Sequence, residues 1–189
     1  MPYLEVTEKL MAYRRDIAAL REKMRALQQE IEPEEVENYR FATTDGAVRL
    51  LELFGGKEHL FVIHNMGKAC PACTMWADGF NGVLPHLENR AAFVVSSPDD
   101  PQTQRAFAAS RGWRFRMVSH QGTNFAADMG YRSDKGWQPG VSVFRRAGDR
   151  IFRVSDTEFG PGDDFCTVYH LFDLLSEGRG GWRPQFSYS

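Results

Sequence analysis

Cysteine is scarce in this chain, with three residues among 189. Its core therefore cannot rest on a disulfide framework, and with 42% hydrophobic and 13% aromatic residues it does not need one. Long apolar runs are missing too: none approaches the roughly 18 residues of a membrane span. The N-terminus, MPYLEVTEKLMAYRRD, carries charges where a secretory peptide has its apolar segment. Neither sign of charge dominates. The formal net charge is -2 and the pI about 6.2, with no basic stripe to track a nucleic-acid backbone. Internal repeats are absent. His86, His120 and His170 are scattered without metal-ligand spacing, and Gly122, Gly130, Gly136 and Gly140 are too dispersed for a phosphate loop. These absences lead us to expect a cytoplasmic protein without a membrane or nucleic-acid partner, a bound metal or a cofactor.

What is present begins with a period. Tyr3, Val6, Leu10, Tyr13, Ile17, Leu20, Met24, Leu27 and Ile31 alternate spacings of three and four, with polar residues between them. This a/d seam predicts one long helix ending before Pro33. Such a helix packs on its own domain or pairs with a second subunit, so residues 1–37 are a candidate dimerisation arm. Beyond it, NYRFAT (Asn38 to Thr43) reads as a strand, Leu50 to Phe54 as a short helix and HLFVIH (His59 to His64) as a buried strand. Thr74 to Leu87 looks helical, kinked or ended by Pro85. AAFVVS (Ala91 to Ser96) is a second buried strand, Gln102 to Arg111 a helix closed by Gly112, and Arg116 to Ser119 a short strand. Asn124 to Met129 has room for one helical turn. Val141 to Arg145 and Arg150 to Asp156 form a hairpin pattern, and Asp163 or Asp164 can cap a last helix running to about Leu175. Residues 178–189 lack periodicity and read as a coil on the surface. Strands alternating with helices, then an antiparallel pair, predict an α/β fold with a mixed central sheet flanked by helices.

Two of the three cysteines stand together in HNMGKACPACTMWADGF, as Cys70-Pro71-Ala72-Cys73. Thiols this close suit a redox couple, half a metal site, or two small residues in a core. Their position, between a buried strand and a helix, favours the first. Cys70 falls at the N-cap and Pro71 at the first helical position, where its missing N–H costs nothing. Unpaired N–H groups of the first turn and the helix dipole favour a thiolate at Cys70, and Lys68 is near in sequence. Cys73 lies one turn on, at the i, i+3 spacing of a resolving thiol. A zinc site would need Cys166 and a histidine as well, and no second paired motif exists. Cys166 reads as a small buried apolar residue and His64 as a structural histidine. Trp76 and Phe80 are expected to pack in the core or along the wall of the site. Asp78 is a candidate proton acceptor beneath Cys73, although an exposed helical position suits it better.

The run FATTDGAVRLLELFGGKEHLFVIHNMGKACPACTMWADGF resembles the thioredoxin superfamily, in its alkyl-hydroperoxide-reductase and thiol-specific-antioxidant-like branch. More narrowly, CPACTMWADGFNG with the later GVSVFRR resembles a bacterial thioredoxin-like family of unknown function. The resemblance covers roughly Tyr39 to Leu175. It implies a thioredoxin-like domain over residues 38–177, with an insertion before a strand introduced by a cis-proline, and Pro139 takes that place. It further implies Cys70 and Cys73 as the catalytic pair, with Pro139, Lys68, Pro71 and Trp76 shaping the site. The implied activity is thiol–disulfide exchange with a protein or small-molecule partner. Peroxiredoxins carry Thr or Ser three residues before the reactive cysteine, where this chain has Gly67, and an Arg near the strand that here follows Gln138-Pro139. Both departures favour dithiol exchange over peroxide reduction. A redox-silent binding domain is the first alternative, followed by a peroxiredoxin-like peroxidase or a zinc-binding module.

Overall fold

The heptad seam forms helix α1, Tyr3–Gln28. The computed structural model describes residues 2–188, and the chain divides into two compact units, residues 1–33 and 34–189. No residue of α1 is buried, and Lys9 reaches back to Glu5 one turn earlier at 2.8 Å. Its seam residues Tyr13, Leu20, Met24 and Leu27 are all more than half exposed.

The second unit is built on one eight-stranded sheet. In chain order its strands are β1 (Glu34–Val36), β2 (Arg40–Thr43), β3 (Gly46–Arg49), β4 (His59–His64), β5 (Ala92–Ser97), β6 (Arg116–Ser119), and, after a small separate hairpin of β7 (Arg132–Ser133) and β8 (Gly136–Trp137), β9 (Gly140–Ala147) and β10 (Arg150–Glu158). The spatial order is β1-β10-β9-β4-β5-β6-β2-β3. Strands β4, β5 and β6 run parallel, and the β9–β10 hairpin lies antiparallel to β4. The helices are α2 (Pro71–Arg90), α3 (Pro101–Arg111), the short α4 (Phe125–Asp128) and α5 (Thr167–Phe172), and a 3-10 segment spans Leu50–Phe54. The mixed sheet with helices on both faces is the fold expected from the sequence. Strands β1, β7 and β8, of two or three residues, are too short to show a period, and β3 was not read from the sequence either.

Alternation along the strands divides the core between the two faces. Leu60, Val62, Val94, Val118 and Phe144 pack with the 3-10 segment, Phe125 and Met129 on one side. Phe61, Ile63, Phe93, Val95 and Val143 pack with Trp76, Leu84 and Phe107 on the other. Helices α2 and α3 thus cover the second face.

Three local expectations are corrected. Helix α2 runs unbroken through Pro85 to Arg90. A mid-helix proline displaces the carbonyl four residues back from its hydrogen bond, and here the Asn81 carbonyl accepts instead from the Arg114 guanidinium at 3.1 Å. The last helix is shorter than expected and starts after Cys166. Asp163 does not cap it: its carboxylate accepts from the backbone N–H of Gly160 at 2.9 Å and Phe165 at 2.8 Å, closing the preceding turn. Finally, no peptide bond among the described residues is cis, so Pro139 is a trans proline. Its carbonyl accepts from the Phe159 N–H at 2.9 Å, which fixes the start of β9 on β10.

Candidate redox site

Parallel strands β4, β5 and β6 end on the same edge of the sheet, and the loop from β4 to α2 crosses that edge. Asn65 starts the loop. Its N–H continues the pairing with β5 through the Ser96 carbonyl, and its side-chain oxygen accepts from the Gly67 N–H at 2.8 Å. The Lys68 N–H donates to Asp99 at 2.7 Å. Gly67 has a φ of +100°, and a Cβ there would come within 3.0 Å of an Asp99 carboxylate oxygen. A Ser or Thr at this position, as in peroxiredoxins, is opposed by both backbone strain and crowding. The departure noted in the sequence is built into the loop.

Helix α2 then begins with Cys70 as its N-cap and Pro71 at its first position. The Cys70 sulfur accepts the Cys73 N–H at 3.0 Å, one of the otherwise orphaned donors of the first turn. Donation by the Cys73 thiol is the largest influence on Cys70, and the N–H groups of Cys73 and Ala72 add to it. Against the opposing effect of burial, they bring the Cys70 thiol down to about 7. Cys73 is displaced the other way: sharing its proton with Cys70, burial, and the nearby Cys70 charge all raise it, partly offset by the Met66 N–H. The pair is therefore asymmetric. Cys70 is half-buried and its thiolate is favoured, whereas Cys73 is buried and its thiolate is disfavoured. Thr74 fastens the turn by donating to the Cys70 carbonyl at 3.0 Å.

The other sequence candidates fall around this centre as follows. Pro71 lies between the two cysteines, on the helix itself. Lys68 acts on the loop through its backbone, and its side chain is exposed. Trp76 is buried in the wall, stacked on Phe159 at 5.8 Å, with its indole N–H directed at Asp163. Pro139 belongs to the same edge, since Gly140 pairs with His64 across β9 and β4. Asp78 does not serve Cys73. It forms an ion pair with Arg111 and accepts the Trp113 indole N–H at 2.8 Å, joining α2 to the end of α3. Cys166 is buried beside Tyr169 in the apolar cluster, as expected of a small apolar residue. No group of three or more metal-ligating side chains occurs among the described residues.

Sequence reasoning missed the loop supports, Asn65 and Asp99, and a second polar group on the opposite face. By alternation from Val62, Val94, Val118 and Phe144, the side chains of His64, Ser96, His120 and Ser142 share that face. His64 Nε2 bonds Ser142 Oγ at 2.9 Å, and His120 Nδ1 bonds Ser96 Oγ at 2.8 Å. His64 is stacked between Tyr131 and Phe125, with ring centroids at 3.8 and 5.3 Å. Burial lowers the basicity of both imidazoles, His120 to about 4, and His64 also feels His120 and Arg153. The aromatic content of Phe125 to Trp137 is the one sequence signal that could have pointed to this cover.

No helix among the described residues is long and apolar enough to cross a membrane. Among curated proteins, none matches the chain. Solved structures do. Peroxiredoxin Q from Xanthomonas campestris, in a cysteine-to-serine mutant form, superposes with a TM-score of 0.54 at 18% identity, over 64% of this chain and 80% of its own. Reduced Prx3 from Vibrio vulnificus gives 0.59 at 14% identity, over 70% and 89%. Peroxidoxin BcpB from Mycobacterium tuberculosis gives 0.53 at 24% identity, over 67% and 84%. At these identities the likeness is one of fold, and it places the chain in the thioredoxin-like architecture of the peroxiredoxins. Residues 1–187 match the family described as "Bacterial protein of unknown function (DUF899)", and the chain belongs to that family.

Proposed function

We propose that this protein is a thiol–disulfide oxidoreductase in which Cys70 is the nucleophile and Cys73 the resolving thiol. The supporting observation is the asymmetry of the pair, with the Cys70 thiol brought down to about 7 and Cys73 raised above its ordinary range. A thiolate at the half-buried position attacks a disulfide and forms a mixed disulfide. The buried thiol, one helical turn away, then attacks the Cys70 sulfur, closes the Cys70–Cys73 bond and releases the partner. The test is equilibration in graded thiol–disulfide buffers, followed by alkylation and mass mapping. One two-electron transition between a Cys70–Cys73 dithiol and its disulfide is expected, and Cys73→Ser should accumulate mixed disulfides on Cys70. Absence of the intramolecular bond at every poise would overturn the reading.

A second reading, thiol peroxidase, draws support from the peroxiredoxin architecture of the fold neighbours. Gly67, where peroxiredoxins carry Thr or Ser, and Gln138-Pro139, where they carry an Arg, argue for exchange instead. Hydrogen peroxide consumption in the presence of a dithiol reductant separates the two. The exposed seam of α1 supports pairing with a second copy of the chain. Sedimentation of the full chain and of Leu20→Lys/Leu27→Lys should then give a dimer and a monomer.

A further inference from the structure

The C-terminal segment folds back beside the cysteine pair. Trp182 packs edge-on against Phe172 at 4.8 Å and Tyr169 at 6.3 Å, and Arg111 holds the Phe186 carbonyl at 2.7 Å. Between this segment and the start of α2 lies an open groove of about 540 Å³, within the size range of small-molecule sites. Pro71 and Ala72, the two residues between the cysteines, form one end of it, and Tyr169, Trp182, Arg179 and Arg183 form the rest of its distinctive lining. Apart from Tyr169, every ionisable side chain lining the groove is an arginine. Neither arginine is in a salt bridge among the described residues, and Arg179 stands 5.6 Å from the Tyr169 ring, at cation–π distance. In a chain of net charge -2, two guanidinium groups with no salt-bridge partner among the described residues make the lining of this groove, which reaches the two residues between the cysteines, locally positive.

We infer that this groove binds the carrier portion of a low-molecular-weight disulfide bearing carboxylates, and so selects the substrate of the Cys70–Cys73 couple. This rests on the dithiol reading above. The planar forks of Arg179 and Arg183 match carboxylates, and Tyr169 and Trp182 supply apolar walls for the chain between them. Cys70 thiolate attacks one sulfur of the bound RS–SR. A Cys70–S–S–R bond forms, the ligand S–S bond breaks, and RS⁻ leaves to take a proton from water. Cys73 then gives up its proton to water and attacks the Cys70 sulfur, so the Cys70–Cys73 bond forms, the mixed-disulfide S–S bond breaks and the second RS⁻ is released. The ligand gains two electrons and the protein dithiol loses two.

The experiment compares single-turnover oxidation of the reduced full-length protein by oxidised glutathione, which is anionic, and by hydroxyethyl disulfide, which is neutral. Each rate is divided by that of free cysteine with the same disulfide, to remove intrinsic reactivity. The ratio of the two normalised rates should favour oxidised glutathione. It should fall about tenfold in Arg179→Gln/Arg183→Gln, and similarly for the unaltered protein when salt is raised to about 1 M. If hydroxyethyl disulfide oxidises the pair and the ratio is unmoved by the substitutions, the groove assignment is overturned while the dithiol reading stands. If neither disulfide closes the Cys70–Cys73 bond, the dithiol reading falls, and the groove assignment with it.

Discussion

Two groups of perturbed titratable side chains sit at the same edge of the sheet, on opposite faces. On the α2 face, Cys70 is surrounded by donors, and its charged form is favoured. On the other, His64 and His120 are enclosed by Tyr131, Phe125 and Trp137, and their charged forms are disfavoured. Burial opposes charge in both places. The outcome differs because Cys70 caps a helix and receives N–H groups, whereas each imidazole has one serine partner and one ring nitrogen with no partner among the described residues. A shifted pKa is thus not by itself the mark of a reactive group. Its direction, read with the partners that cause it, separates a thiol whose charged form is favoured from histidines held neutral within the fold.

The largest effect should come from removing the Cys70 thiol. Cys70→Ser is expected to reduce disulfide exchange to the uncatalysed background in a stopped-flow assay, while His64→Gln retains it. Comparable losses in both variants would erase the distinction between the two faces.

Next is Gly140→Ala. A Cβ there would overlap the Tyr131 ring and stand 2.5 Å from the Thr157 carbonyl oxygen. Overpacking of this severity should cost about 3 kcal/mol or more in a denaturant titration. The loss belongs to the histidine face, so the alkylation rate of Cys70 in the folded fraction should change little.

Acid stability sharpens the comparison further. The unfolded chain binds protons on both histidines near pH 6.5, and the folded chain does not. Their contribution is therefore complete above about 6.5 and is lost as pH falls towards the folded value, about 4 for His120. For His120 alone that loss approaches roughly 3 kcal/mol. Chemical denaturation between pH 7 and 4 should show a decline, and His120→Gln should make it shallower.

The smallest effect concerns the thiol itself. Its alkylation rate should rise with pH to a midpoint near 7, below the roughly 8.5 of a free cysteine. Cys73→Ala removes the thiol donor but keeps the backbone N–H, so the midpoint should move part of the way back up. An unmoved midpoint would assign the effect to the helix terminus alone.

The sequence by itself determined three features that depend on near neighbours. The α1 helix follows from a strict apolar spacing, β4 and β5 from short apolar runs, and the thiolate site from Cys70 and Pro71 opening a helix with Cys73 one turn on. Each is a pattern carried by residues close together in the chain, and such patterns are visible in a linear string. Tertiary structure alone decided the rest. Asp99 meets Lys68 across 31 positions, His64 meets Ser142 across 78, and the Arg111 side chain reaches Phe186 across 75. Even the Asn81 carbonyl that Pro85 leaves unpaired in α2 finds its partner in Arg114, from beyond the next strand and helix. These partners are chosen by strand order and by the return of the C-terminal segment. Sheet closure brings distant residues together with no local signal, because a side chain's pairing energy is set by what lies across the sheet rather than by what precedes it in the chain.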